Sequence, residues 1–183
     1  MEFKYNPLKT VQAAGLFLKL NKRAMEYMKL IKLLYLTDRI ALDKMGATIT
    51  GDKYVSMNHC PILSKIYDMI NHGPIYDKDN PWFKYISPPQ NYCVRLSEDP
   101  GNDELCEEEK NIIKKIYKTC GNIDVWELSN STHFFPEWQN PYGSAIPIKI
   151  EEILSKLGKT EDDIKAIREN ITRENHFDML LAY

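Results

Sequence analysis

Cysteine is scarce in this 183-residue chain: four residues, at positions 60, 93, 106 and 120, with no C-x-x-C spacing. That pattern argues against a disulfide framework and against a closely spaced zinc ligand set, and it leaves free, core-type thiols. Glycine is sparse too, with eight residues, none in a G-x-x-x-x-G-K-[ST], G-x-G-x-x-G or G-x-S-x-G pattern. The usual phosphate cradles and the nucleophile elbow are therefore missing. No apolar run approaches the ~18 residues of a membrane span, and the opening MEFKYNPLKT has no signal-peptide core. A net charge of −2 supplies no overall attraction to nucleic acid or to a membrane surface. A cytoplasmic globular protein is the expectation.

With 43% hydrophobic and 27% charged residues, the composition supports one compact domain over residues 1–183. A chain of this length buries roughly 70% of its unfolded surface and needs no staple. Charge is unevenly spread. Residues 1–45 hold nine Lys/Arg against four Asp/Glu, whereas 98–109 (EDPGNDELCEEE) hold seven acids and no base. The acidic run reads either as a helix start, with Asp103 as cap and Glu104, Glu107 and Glu108 at the positive end of the dipole, or as a patch for a basic partner.

Local signals predict a mainly α fold with a small antiparallel β element. Asn6-Pro7 opens a helix running to about Asn21, and a longer one follows from about Ala24 to Met45, stopped by Gly46. The β-branched and aromatic stretch ATITGDKYVSMNHC predicts a strand or hairpin around Gly51-Asp52, and Pro61 is placed at the start of a third helix ending at Gly73. WFKYI and NYCVRL are expected to pair as strands across 87–90. Further helices are predicted over Asp103–Cys120, from Asp124 through VWELSNSTH, from Pro147 to Gly158, and after the Thr160–Asp163 capping box, the last forming a C-terminal helix within 159–183. Strands are expected mostly within 47–60 and 82–97.

Tests for chemistry return little. His59, Cys60 and His72 are not spaced as a structural zinc site, and Ser129, His133 and Asp124 form a triad on paper only, without an oxyanion hole. Lys22-Arg23 between two basic helices invites a helix-turn-helix reading, but LIKLLYLTDRIAL is apolar around most of its circumference and reads as a buried central helix, with Lys29 and Lys32 at its solvent edge. No catalytic residue, metal or cofactor is assigned; a small hydrolase or a DNA-binding regulator stands as a remote alternative.

Three stretches nevertheless form a recognisable order: K-L-x-K-L-L-Y at 29–35, I-T-G-D-x-Y-V at 49–55, and Ser-Thr-His…Trp at 131–138. Together they resemble the Panacea domain, or SocA-like antitoxin domain, of bacterial and phage toxin–antitoxin pairs, over about residues 8–158. The motif residues carried over are Lys32, Leu33, Leu34 and Tyr35 on the central helix, Tyr54, His59 and Pro61 around the following turn, and His133 and Trp138 in the late cluster. The chain departs from the family where Cys60 stands for a Gly before Pro61, which implies a differently bent loop. The resemblance implies a non-enzymatic antitoxin that neutralises a cognate toxin by direct contact, or, alternatively, an adaptor that delivers the toxin to an ATP-dependent protease. From the charge and the apolar central helix, neither a membrane nor a nucleic-acid partner is expected. For contact with the toxin, the aromatics Trp82, Phe83 and Tyr85 on the proline-rich segment are the candidates, since loops and edges often bind.

Overall fold

A computed structural model describes residues 1–58 and 60–181, with only the backbone of Asp178. The order of elements is α1 (Pro7–Leu20), β1 (Ala24–Glu26), α2 (Tyr27–Met45), β2 (Tyr54–Met57), β3 (Cys60–Leu63), α3 (Ser64–His72), α4 (Trp82–Tyr85), β4 (Cys93–Arg95), α5 (Glu107–Cys120), α6 (Val125–Thr132), β5 (Ile146–Ile148), α7 (Ile150–Lys156) and α8 (Glu161–Leu181). A 3₁₀ turn over Gly73–Ile75 follows α3. Helix accounts for 55% and strand for 11%, so the fold is mainly α with small antiparallel sheets, as expected. Among the described residues no helix is long and apolar enough to cross a membrane.

Helix α1 starts as its sequence dictates: Pro7 occupies the first turn and Asn6 Oδ1 accepts the Lys9 N–H at 2.9 Å. The second helix begins three residues later than predicted. Lys22 and Arg23 both adopt left-handed backbone, with φ of 56° and 71°. This double reversal throws Ala24–Glu26 into an extended pairing with β4 (Ala24↔Arg95, Met25↔Val94, Glu26↔Cys93). Helix α2 then runs to Gly46, whose φ of 64° supplies the expected stop. It packs against α1, α5, α6, α7 and β3, and Leu30, Ile31, Leu33, Leu34 and Tyr35 are buried in the core.

The second sheet has the order β3-β2-β5, all antiparallel. The hairpin falls at 54–63 rather than around Gly51-Asp52, and Pro61 lies in β3 instead of opening α3. The Ser64 N–H donates to the Lys53 carbonyl at 2.8 Å. Alternate pairs therefore bond, and Pro61, opposite Ser56, falls where its missing N–H would face the open edge. Cys60 lies in this strand, outside the positive-φ positions, so the Gly-to-Cys departure requires no left-handed residue. Pro147 likewise belongs to a strand, β5, and α7 starts only at Ile150.

WFKYI is not a strand. Asn80 Oδ1 accepts the Trp82 N–H at 3.1 Å, and Pro81 leads into the single helical turn α4, repeating the Asn-Pro device of residues 6–7. Only part of the expected hairpin survives, as bridges Ile86↔Leu96 and Gln90↔Cys93. Helix α5 begins at Glu107, not Asp103. Gln12 takes Asp103 away, its Nε2 donating to Asp103 Oδ1 at 2.7 Å and to the Pro100 carbonyl at 3.0 Å. The acidic run and the basic N-terminal quarter meet directly, through Lys9–Glu109 at 2.6 Å and Lys44–Glu108 at 2.8 Å, with Lys19 on Asp99.

Candidate functional site

The first and second motif stretches meet at α2. Asp38, fully buried, accepts hydrogen bonds from Ile49 N–H at 2.8 Å, Thr50 N–H at 3.0 Å, the Thr50 hydroxyl and the Tyr54 hydroxyl at 3.1 Å. Burial raises its pKa above the usual carboxylate range, against the pull of those donors. Asp52 has a different task. Its carboxylate accepts the N–H groups of Lys65 and Ile66, both at 3.0 Å, in the first turn of α3, and that of Lys53 at 2.6 Å. It caps a helix from outside, where the preceding residue, Leu63, has no side-chain acceptor. The I-T-G-D segment thus joins α2 to α3. Gly51 is required there: its φ is +68°, and a Cβ would lie 2.1 Å from the Lys4 carbonyl oxygen.

The third stretch closes onto the first two. Glu137 Oε1 accepts the Tyr35 hydroxyl at 2.8 Å and Arg39 Nε–H at 2.6 Å. Trp138 Nε1–H donates to the Met57 carbonyl at 3.0 Å, and Gln139 N–H donates to Ser56 Oγ at 3.2 Å. Tyr35 meets Tyr54 edge-on, with centroids 5.7 Å apart. His133 stacks on Trp138 at 4.4 Å, and its buried Nε2 has no hydrogen-bond partner among the described residues. Motif residues Lys32, Leu33, Leu34, Tyr35, Tyr54, Pro61, His133 and Trp138 therefore converge around α2 and the β2–β3 hairpin, and His59 lies outside the described residues. Glu137, Asp38 and Ser56 complete the arrangement. Only Asp38, four residues beyond Leu34 on the same helix face, carried a sequence signal.

Lys32 departs from expectation most sharply. It is 1% exposed rather than at a solvent edge, and among the described residues Nζ meets no oxygen or nitrogen acceptor, only the Cys60 thiol. The face of α2 that carries it is covered by β3 and α6, which bring Cys60 and Ser129 beside it. Burial lowers the pKa of the ammonium and raises that of the Cys60 thiol, so both shifts favour neutral forms.

Lys32, Cys60 and Ser129 line a cavity of about 510 Å³, together with Met28, Met57, Ile62 and Tyr67. At its mouth stand Tyr92, 75% exposed, and Trp126, 65% exposed. Tyr92 holds φ of 63° and Tyr142, beside the lining residue Gly143, holds 49°. Left-handed backbone at a bulky residue is costly and concentrates at functional surfaces.

The aromatics expected to meet a partner lie elsewhere. Trp82 is 2% exposed and part of the core, held there by the α4 turn, while Phe83 and Tyr85 are half-buried. The paper triad is not assembled: Asp124 Oδ1 caps α6 by accepting the Trp126 N–H at 2.8 Å, and His133 lies against Trp138. Among the described residues, no group of three or more His, Cys, Asp or Glu side chains is placed to hold a metal.

A family model described as antitoxin SocA-like, Panacea domain matches residues 30–139, from α2 through the Trp138 segment. Searches of curated proteins and of solved structures find no match. The matched span contains all three motif stretches but for Lys29, and excludes α1, α7 and α8. It supports an antitoxin role, with a toxin as the general kind of partner, and favours a non-enzymatic protein. Matched over more than half its length, the chain belongs to the antitoxin SocA-like, Panacea domain family.

Proposed function

We propose that the protein is an antitoxin that neutralises a single cognate toxin by direct binding, and that the mouth of the Lys32 cavity forms part of the contact. The observation that carries the surface assignment is the exposed pair Tyr92 and Trp126 flanking a concave, largely apolar opening. Large aromatics at the centre of an interface contribute most of the binding energy, and contiguous exposed apolar surface marks interaction sites. Phe83 and Tyr85 retain enough surface to be touched and form the comparison set; Trp82 does not.

The test starts from a neighbouring reading frame whose expression stops growth. Co-expression of this protein restores growth, and the two proteins co-purify. Trp126→Ala and Tyr92→Ala weaken the complex by over ~1 kcal/mol each while leaving the melting temperature nearly unchanged, because both side chains are mostly exposed. Rescue without a complex, or the absence of any toxic neighbour, rejects the reading. Rescue that vanishes in cells lacking ATP-dependent proteases transfers the assignment to the adaptor alternative.

A further inference from the structure

We propose that the Lys32 cavity is a binding site for a carboxylate carried at the end of an apolar body, with Lys32 Nζ as its counter-charge. Three features lead there. First, Lys32 is 1% exposed, and among the described residues its Nζ meets no oxygen or nitrogen acceptor and no carboxylate, only the thiol of Cys60. Buried amines of this kind are normally paired, because removing an ammonium from water without a partner is costly. Second, the Cys60 thiol acts on it as a weak sulfur hydrogen-bond partner, but burial raises the pKa of that thiol and favours its neutral form, so it supplies no negative charge. The lining carboxylate, Glu26, is exposed at the mouth. Third, the lining is mostly apolar or aromatic, with Met28, Met57, Ile62 and Tyr67 among it and Asn58, Ser129 and Ser144 as its neutral polar members, and about 510 Å³ lies within the range of small-ligand pockets.

Charge balance selects the class of anion. One amine in apolar surroundings neutralises one negative charge, which suits a monocarboxylate; a phosphate dianion would leave a net charge buried. The apolar walls select the body to which the carboxylate is attached, a phenyl or alkyl group of a few carbons. That chemistry belongs equally to an acidic side chain or chain end of the toxin and to a free organic acid.

Titrating the purified full-length chain with 4-phenylbutanoate, its neutral amide 4-phenylbutanamide, and inorganic phosphate tests the proposal. Methyl NMR signals of Met28 and Met57 report occupancy. The acid shifts both signals and binds at least tenfold more tightly than the amide, while phosphate shifts neither. In Lys32→Met the acid loses that tenfold advantage, and the amide still binds, which shows that the cavity is intact. Equal binding of acid and amide to the wild type, no binding of either, or unchanged acid binding by Lys32→Met overturns the proposal, as does phosphate binding as tightly as the acid. Adding the acid to the toxin complex separates the two sources, in an arm that rests on the antitoxin reading. Displaced toxin identifies the toxin as carrier of the carboxylate, and an intact ternary complex identifies a free acid. Failure of the binding experiment leaves growth rescue unaffected, so the two readings fall separately.

Discussion

Asp52 sets two strong effects against each other, and the pH dependence of stability decides between them. Three backbone N–H groups point at its carboxylate, which taken alone holds a carboxylate below its usual range. Burial opposes them, with the nearby Asp38 charge adding to it, and the balance lifts Asp52 to about 6 from 3.8. Between those values the folded state keeps a proton that the unfolded chain has released. Stability is then full at low pH, falls as pH rises through this window, and the loss is complete above about 6. At ~1.4 kcal/mol per pK unit the whole loss is about 3 kcal/mol, of which about 2 kcal/mol falls between pH 4.5 and 7. Asp38 shifts in the same direction, so the wild-type slope alone is ambiguous, and Asp52→Ala supplies the reference. Urea unfolding followed by far-ultraviolet circular dichroism at pH 4.5, 5.5 and 7 should show the wild type losing about 2 kcal/mol relative to the variant across that range. If the wild type instead gains on the variant as pH rises, the cap's hydrogen bonds outweigh desolvation and the reasoning is wrong.

Two further substitutions probe the scaffold. Glu137→Ala leaves the Tyr35 hydroxyl and Arg39 without their shared acceptor and should cost about 2–4 kcal/mol in urea unfolding, discounted from the buried-pair range because Arg39 retains some solvent contact; a loss under ~1 kcal/mol would mean that this carboxylate does not pin the 134–139 segment. Trp82→Ala should cost about 3–5 kcal/mol and lower the melting temperature by on the order of 10 °C; unchanged stability with loss of toxin binding would return Trp82 to the interface.

Local chemistry made much of this fold legible. The Asn6-Pro7 start, the Gly46 stop, the Asp124 cap and the Thr160–Asp163 box all rest on groups within a few residues of each other, and all stand in the structure. Errors arose where a distant segment decided the outcome. Ala24 is extended because Arg95 pairs with it, and Ile146 because Ser56 does; neither partner is visible in the local sequence. Asp103 is diverted by Gln12, and Pro61 is permitted in a strand only because the edge beside it is open. The α4 turn has a local signal, since Asn80-Pro81 repeats the Asn-Pro pair of residues 6–7, but the aromatic content of WFKYI favours a strand by propensity. The candidate site was less legible still. Lysine identity argues for solvent, and only the covering by β3 and α6 reverses that for Lys32.

The order in which the chain leaves the ribosome bears on when this molecule is able to act. Tyr35 emerges early, yet the carboxylate that receives its hydroxyl is at Glu137, and β2 gains its second neighbour only with Ile146–Ile148. At translation rates of about 5–20 residues per second, roughly 5–20 s separate the synthesis of the central helix from that of its closing partners. The cavity wall shares this delay, because Trp126, Ser129 and Gly143 all arrive late. A nascent chain stopped before residue 137 presents the central helix without its lock, and the supply of fully closed molecules therefore follows the number of finished chains rather than the number begun.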